Sequence, residues 1–376
     1  MPHGAMVIVL TVNTGSSSVR LSLQQWNSQE SLKSIGSVRY NHSDGEPKEL
    51  LQNFLYSHGI NKVDIVSHRV VHGGSTLVSS RILDDESVAE IRRLEVLAPL
   101  HNRHAVVWIQ TSINIVGQAA PQVGVFDTAF YSGLPAVASS YAIPREISKR
   151  YSVRRFGFHG LAHQAMWQRW CELRPDIPDG GRVISLQLGA GCSVTATDGG
   201  VAQDTSMGFT PSEGLMMATR CGDIDSGLVT FLQRLEGLTP EATDHLLEKE
   251  SGLLGVSGIS SDIRKLLDSD NADAHHAVNL FCYRVRKYIG AYIAVLGGVD
   301  GILFGGGVGE NVPQVRKGVL DGMEWCGIEL NDPVNMNTIG CEGRISNMQD
   351  KVDVWVIPVD EAGVLAREAI KVVNQL

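Results

Sequence analysis

The order of strand, turn and helix signals along the chain predicts an α/β protein of two similar lobes with a central cleft. Two hairpin signals carry much of this expectation: TVNTGSSSVRLSL near the start and SLQLGAGCSVTAT in the middle each read as strand, Gly/Ser turn, strand, and they differ by one inserted residue. Each hairpin is followed by further strands and helices. The chain then closes with VDVWVIPVDEAGVLAREAIKVV, a strand, a turn and an amphipathic helix too short to form a lobe, expected to pack back on the first one.

In the first block Val7 to Val12 is apolar except for Thr11, itself a strand former, and Val19, Leu21 and Leu23 alternate with polar residues, the period of a half-buried strand. KVDIVSHRVVHGG is a β-branched run ending at a glycine pair. Asp84 to Leu97 has helical spacing, with Asp85 and Glu86 early and Arg92 and Arg93 late, as the helix dipole favours. GQAAPQVGVFDTAFY is a loop entering a strand, with Asp127 at its far end. In the second block, RVISLQLGAGCSVTATDGGVAQDTSMG precedes helical signals at Gly227–Leu235, Thr239–Glu250 and His275–Leu296; VDGILFGGGVGEN then reads as strand, glycine loop, helix. The loosest stretch, FYSGLPAVASSYAIPREISKRY, marks the boundary. The expected lobes are residues 1–131 plus 363–376, and 132–362.

Composition narrows the function. Of 376 residues, 32 are Lys or Arg and 41 are Asp or Glu, a formal net charge of −9. That balance argues against a nucleic-acid partner, which needs a basic face to displace counterions. No window has the ~20 apolar residues of a membrane span, and the start, apolar only from Ala5 to Leu10, lacks the basic residues of a signal peptide. The six cysteines are scattered without metal-binding spacing, so reduced thiols in the cytoplasm are expected.

Three glycine-rich turns follow strands, at Asn13–Ser18, Gly189–Ser193 and Gly305–Asn311. Such turns let backbone N–H groups approach an anion, although singly they are mostly just turns. None has the spacing of a P-loop or a dinucleotide fingerprint. Arg69 and Arg220 lie among apolar residues and glycines, where a guanidinium next to a cleft would hold a carboxylate or phosphate with two bonds. Asp127, Asp204 and Glu361, at strand ends, are candidate ligands for a metal or its water. His159, between glycines and aromatics in RRFGFHGLAH, could reach a cleft.

The segments VNTGSSSVRLSL, HRVVHGG, LAPLHN, FDTAFY, RRFGFHGLAH, DTSMGFTPSEGLMMATRCGDID, SSDIR, GGGVGEN and IPVDEAGVLARE run from residue 12 to residue 368. In this order they resemble the acetate/propionate kinase family of the sugar kinase–Hsp70–actin superfamily. The resemblance implies the actin-like ATPase (ribonuclease H-like) fold, with most of the nucleotide site in the second lobe. It also implies reversible, magnesium- or manganese-dependent transfer of the γ-phosphoryl group of ATP to acetate, and a homodimer. Asn13 and Glu361 match the family's metal-site positions, Ser16 and Ser18 its phosphate-loop serines, and Arg20 a nucleotide-contacting lysine. Arg69, Arg220, Asp127 and His159 match its catalytic residues. Arg69, Val71, Leu100, His101, Phe158 and Pro211 match its acid-binding residues. Gln187, Leu188, Gly189, Ala190 and Gly191, then Asp262, Ile263 and Arg264, then Gly307, Val308, Gly309, Glu310 and Asn311 match its nucleotide-binding loops.

The chain departs from the pattern where donor phosphates would lie: Gln187 replaces a His, Ala190 an Asn and Arg20 a Lys. Ser75 also replaces the Glu after HGG. A free carboxylic acid, which titrates near pH ~4, is ionised at neutral pH and needs no general base. Asp127 is therefore expected to orient an arginine or metal-bound water. Val71 favours acetate over propionate as the acid. Gly307 and Val308 favour ATP over pyrophosphate as the donor, and Gln187 with Ala190 leaves a catalytically weak nucleotide-binding regulator as the remaining alternative.

Overall fold

The computed structural model describes residues 6–27 and 31–375, apart from the Leu100 side chain; the reading of the chain's first five residues lies outside them. Val7–Thr14 (β1), Ser18–Trp26 (β2), Leu32–Asn41 (β3), Ile65–Val70 (β4), Arg81–Ile82 (β5) and Gln122–Phe126 (β6) form one sheet, ordered β3-β2-β1-β4-β6-β5. Arg182–Leu188 (β7), Cys192–Asp198 (β8), Val201–Thr205 (β9), Gly301–Gly305 (β10), Gly343–Arg344 (β11) and Asp353–Val356 (β12) form the other, ordered β11-β12-β10-β7-β8-β9. Read from the β9 edge, the second sheet repeats the first strand for strand: an antiparallel three-strand meander, two parallel strands, and a short antiparallel edge. The two hairpins read from the sequence are the first turn of each meander. Beyond the pair Thr14↔Val19 the first leaves Gly15–Ser18, and beyond Leu188↔Cys192 the second leaves Gly189–Gly191, so the inserted residue sits in the turn.

The chain divides into two compact units, each holding one sheet. One contains the residues up to Ser132, Phe158–Leu161 and the stretch from Asp360; the other contains Gly133–Gly157 and Ala162–Val359. In the first unit, Leu10, Val12 and Val66 pack on Phe54 and Trp108. The helix Glu361–Asn374 lies against β1, β4 and β6, and Ser67 Oγ donates to the Leu365 carbonyl at 2.8 Å. Cover on both faces explains why β1 is apolar almost throughout. In the second unit, Met166 and Trp170 pack on Val183, Leu303 and Ile357, while the helix Ala272–Leu296 lies against β8. Asp84, in the helical segment expected from Asp84, caps Asp85–Arg93 through Ser87 N. Among the described residues no helix is long and apolar enough to cross a membrane.

His68 of β4 and His72 beyond it are buried, and His68 Nε2 lies 2.8 Å from Gln122 Oε1. Burial lowers both imidazoles from 6.5 to about 4. From pH 6.5 down to 4 the unfolded chain therefore binds more protons than the folded one, and stability falls. The urea midpoint should drop across that window, and less steeply in His68→Gln; equal slopes in the two proteins would refute this.

Candidate active site

In the first unit, three parallel strands end together, and each delivers one polar side chain at its carboxyl end, where open α/β sheets place their ligands. Asn13 ends β1, Arg69 lies in β4 and Asp127 directly follows β6. Arg69 Nε and Nη2 both donate to Asp127 Oδ2, at 3.2 and 2.6 Å, and Nη1 donates to Asn13 Oδ1 at 3.1 Å. Asn13 Nδ2 in turn donates to Glu361 Oε2 at 2.5 Å. Glu361 is the first residue of the C-terminal helix, whose N-cap Asp360 accepts from Gly363 N. Burial alone would lower the Arg69 guanidinium. The carboxylates of Asp127 and Glu361 outweigh burial and hold the group above the ordinary arginine range, so it stays charged.

Gly160 closes this corner from behind. A Cβ there would overlap the Asp127 carbonyl and come within 2.8 Å of Phe130 Cβ, so only glycine fits. His159, just before it, is held at φ 58°, a left-handed conformation uncommon outside glycine. Phe158 is buried, with its carbonyl accepting from Tyr131 OH at 2.7 Å and its ring edge-on to His72. Val71 is buried and His101 half-buried in the first turn of Pro99–Val116. The Leu100 side chain lies outside the described residues. Ser16 is exposed at the hairpin turn, and Arg20 is exposed on β2. Ser18 Oγ accepts from Arg39 Nε at 3.1 Å, and Arg39 stands directly opposite Arg20 in the β2–β3 register. Nothing in the sequence pointed to Arg39, an ordinary strand arginine in SVRY.

In the second unit a cavity of about 430 Å³ is lined by Gly189, Ala190, Asp262, Ile263, Arg264, Gly307, Val308 and Asn311, all expected from sequence, and also by Ala218, Leu253, Ser261, Phe281 and Val312. Phe281 belongs to the apolar stripe of Ala272–Leu296, so the sequence marks it only as a core residue. The Arg264 guanidinium holds the Asp262 carboxyl below the usual range, through bonds of 3.1 and 2.8 Å. Asn311 Nδ2 donates to the Gly307 carbonyl at 3.0 Å. At Gly307 a Cβ would meet nothing within 4 Å. Other loop residues support the cavity instead of lining it. Leu188, Gly191 and Gly309 are absent from the lining; Leu188 is wholly buried. Glu310 Oε1 accepts from Gly306 N and Val359 N. Gln187 Oε1 is buried without a hydrogen-bond partner among the described residues, beside the Gly306 turn.

Arg220 of the second unit forms no ion pair among the described residues. Its Nη1 donates to the Pro211 carbonyl at 3.2 Å and lies 3.7 Å from Met217 Sδ. Burial pulls its guanidinium below the ordinary arginine range against the opposing effect of Glu248. A largely buried guanidinium with donors left over can receive an anion. Asp204 lies 4.0 Å from Arg155 and accepts from Thr205 N.

Two topologically equivalent α/β units with glycine turns after their first strands, a clamped arginine and an arginine lacking a counter-ion define a kinase of the actin-like ATPase fold. The chain belongs to the acetokinase family, whose family profile matches residues 45–367. It is 44% identical over 316 residues to the acetate kinase of Chloroherpeton thalassium, covering 83% of this chain and 76% of that one. The crystal structure of Porphyromonas gingivalis acetate kinase is similar, with a TM-score of 0.87 at 35% identity over 98% of this chain and 100% of the other. A propionate kinase from Francisella tularensis also has a TM-score of 0.87, at 30% identity, covering 97% of this chain and 100% of that one.

Gly160→Ala should force the turn carrying Asp127 aside and destabilise the protein by about 1–3 kcal/mol, the usual cost of overpacking. Urea unfolding measures this, and an unchanged midpoint would show that the close approach is not required.

Proposed function

We propose that the chain transfers the γ-phosphoryl group of ATP to acetate, reversibly, in a direct in-line step. The observation that carries this is the Asn13–Arg69–Asp127–Glu361 network, three strand ends and a helix start bonded to one another. An acetate oxygen forms the new bond to the γ-phosphorus as the bond to the β,γ-bridging oxygen breaks, and ADP leaves with that electron pair. Charge spreads over the transferring oxygens, so alignment and positive charge supply most of the catalysis. Arg69 and Arg220 supply the charge in this reading, and His159 adds a donor. Asp127 keeps Arg69 ionised and aimed; the acid arrives ionised, so Asp127 takes no proton.

The donors present fit a magnesium ion. Such an ion prefers oxygen and keeps several waters, so one or two protein oxygens and the phosphates suffice. Glu361 would hold it, joined by the Asn13 amide oxygen once that oxygen gives up Arg69 Nη1, and when bound it neutralises phosphate charge. In the second unit, the 430 Å³ cavity and the open space at Gly307 support adenosine binding, which favours ATP over pyrophosphate. Gln187 and Ala190 would meet the donor phosphates with at most neutral donors, and the Gln187 amide oxygen has no hydrogen-bond partner among the described residues. Buried Val71 and Phe158 support a small acid. Exposed Leu228, Phe231 and Leu235 on the helix Ser226–Glu236 support the homodimer, and the six unpaired cysteines a cytoplasmic setting. The proposed lobes are 1–131 plus 363–376, and 132–362.

With ATP, magnesium and hydroxylamine, acetate should give acyl hydroxamate with a higher catalytic efficiency than propionate or butyrate; no hydroxamate from any acid would end this reading. Gly307→Trp should raise the KM for ATP by roughly tenfold or more through a steric clash while leaving the fold intact. An unchanged KM would place the nucleotide elsewhere. Asp127→Asn should lower kcat by about 10²–10³-fold, the range for loss of a preorganised charge; full activity with unaltered magnesium dependence would reject its role.

A further inference from the structure

The first unit holds a pair of histidines that the proposed mechanism does not use. The rings of His42 and His104 stack face to face, with centroids 3.7 Å apart and planes 10° from parallel. His42 follows β3, and His104 lies in the second turn of the helix Pro99–Val116. His42 also grips the turn between β1 and β2. Its Nε2 lies 3.0 Å from the Gly15 carbonyl, and its backbone N–H donates to the Ser17 carbonyl at 3.0 Å. A carbonyl only accepts, so Nε2 carries a proton and donates. Gly15 N closes the turn on the Ser18 carbonyl at 2.8 Å. The stack thus ties Gly15–Ser18 to a helix that is remote from it in sequence.

Both rings are half-buried, and no carboxylate is bonded to either among the described residues. Asp44, in the turn after His42, accepts instead from Asn41 N at 2.7 Å and Asn41 Nδ2 at 3.4 Å. Arg103 adjoins His104, and His101 precedes it by one turn of the same helix. Arg39 reaches the turn from β3, donating to Ser18 Oγ at 3.1 Å, with Arg20 opposite it in the register. On Pro47–Ser57, which packs on Pro99–Val116, the charged Lys48 and Glu49 are exposed. Burial, the His42 ring and Arg103 all lower the His104 imidazole. Two protonated rings would set like charges 3.7 Å apart with no carboxylate bonded to them to offset the repulsion. The pair therefore titrates as a unit, and it resists a second added proton while the rings stay stacked.

We propose that the His42–His104 stack is a pH-sensitive clasp on the Gly15–Ser18 turn, closed while the pair holds at most one added proton and opened by the second. The open form takes up a proton that the closed form resists, so a fall in pH below the ordinary imidazole range, near ~6.5, favours opening. With the rings apart, His42 no longer connects the turn to the helix, and the turn is released. The clasp is a property of the first unit alone. Its consequence for ATP rests on the kinase reading, with Ser16 and Ser18 as phosphate-loop serines.

The test is hydrogen–deuterium exchange of peptides covering residues 13–18 and 39–44 in wild type, His104→Phe and His104→Gln. It is run at about pH 7.5 and about pH 5.5, on either side of the imidazole range. Comparing proteins at one pH cancels the chemical pH dependence of exchange, and the acid loss of stability from His68 and His72 acts on all three alike. At the higher pH wild type and His104→Phe should match, because a ring that takes no proton keeps the stack. At the lower pH the wild-type peptides should exchange faster than those of His104→Phe by about threefold or more, since a proton bound only by the open form shifts opening by up to ~tenfold per pH unit. His104→Gln has no ring to stack, so its turn should exchange faster already at the higher pH. Wild type approaching His104→Gln in acid keeps the test open if His104→Phe fails to fold. Equal exchange of wild type and His104→Phe at the lower pH, or of wild type and His104→Gln at the higher, overturns the inference. Over the same range the KM for ATP should rise more in wild type than in His104→Phe. A turn released in acid with the two KM values moving together upholds the clasp and removes this turn from the donor site.

Discussion

A guanidinium that is nearly out of water needs protein oxygens to take its donors, and the first unit is organised to meet that need at Arg69 largely with carboxylates. Asp127 takes two of its donors and Asn13 a third, while Glu361 holds Asn13 from the other side. Each of these residues must lie near the end or the start of an element at one corner of the sheet. β1, β4 and β6 must therefore be parallel neighbours, in register, and the C-terminal helix must begin where they stop. Gly160 is a consequence of the same constraint, because the chain passes so close to the Asp127 carbonyl that a side chain cannot be fitted.

The second unit treats its arginine in the opposite way. Arg220 is given a carbonyl and a thioether where Arg69 is given two carboxylates, so its charge is held without being neutralised. The two arrangements suit different work. A pre-paired arginine is fixed in direction before any ligand arrives. An unpaired one loses part of its hydration on burial and recovers it from the anion that binds.

Two buried polar networks of the second unit were hidden for a shared reason. Arg155, Tyr141 and Glu213 are far apart in the chain, with 72 residues from Tyr141 to Glu213 and 58 from Arg155 to Glu213, and they belong to segments with no motif of their own. Arg316 is similar: it is fully buried, and it donates to the carbonyls of Gly309, Glu310, Asn335 and Thr338 and to Asn335 Oδ1, holding the glycine loop from beneath. Burial lowers its guanidinium to about 10, with no carboxylate bonded to it among the described residues. Backbone carbonyls are identical at every residue, so a side chain that binds them leaves no trace in local sequence. The helices Pro47–Ser57 and Pro99–Val116 are equally hard to read locally. The second has His, Asn and Arg in its first turns and continues Val-Val-Trp-Ile, a largely β-branched run whose local preference is overruled by packing of Trp108 and Ile109 in the core.

The sequence by itself determined what can be read over ten residues: the apolar runs of β1 and β7, the alternation of β2, the glycine turns, the dipole charges of the helix Asp85–Arg93, and the motifs that mark the family. Each follows from the period of a strand or helix, or from the close backbone approach that a residue without a side chain allows. The tertiary structure alone decided which distant side chains meet. Asn13 and Glu361 are 348 residues apart, and Phe281 lines a cavity although its sequence context marks only core. The physical reason is that burial and hydrogen-bond pairing are properties of a position in space. They depend on strand order and register, which local periodicity leaves undetermined.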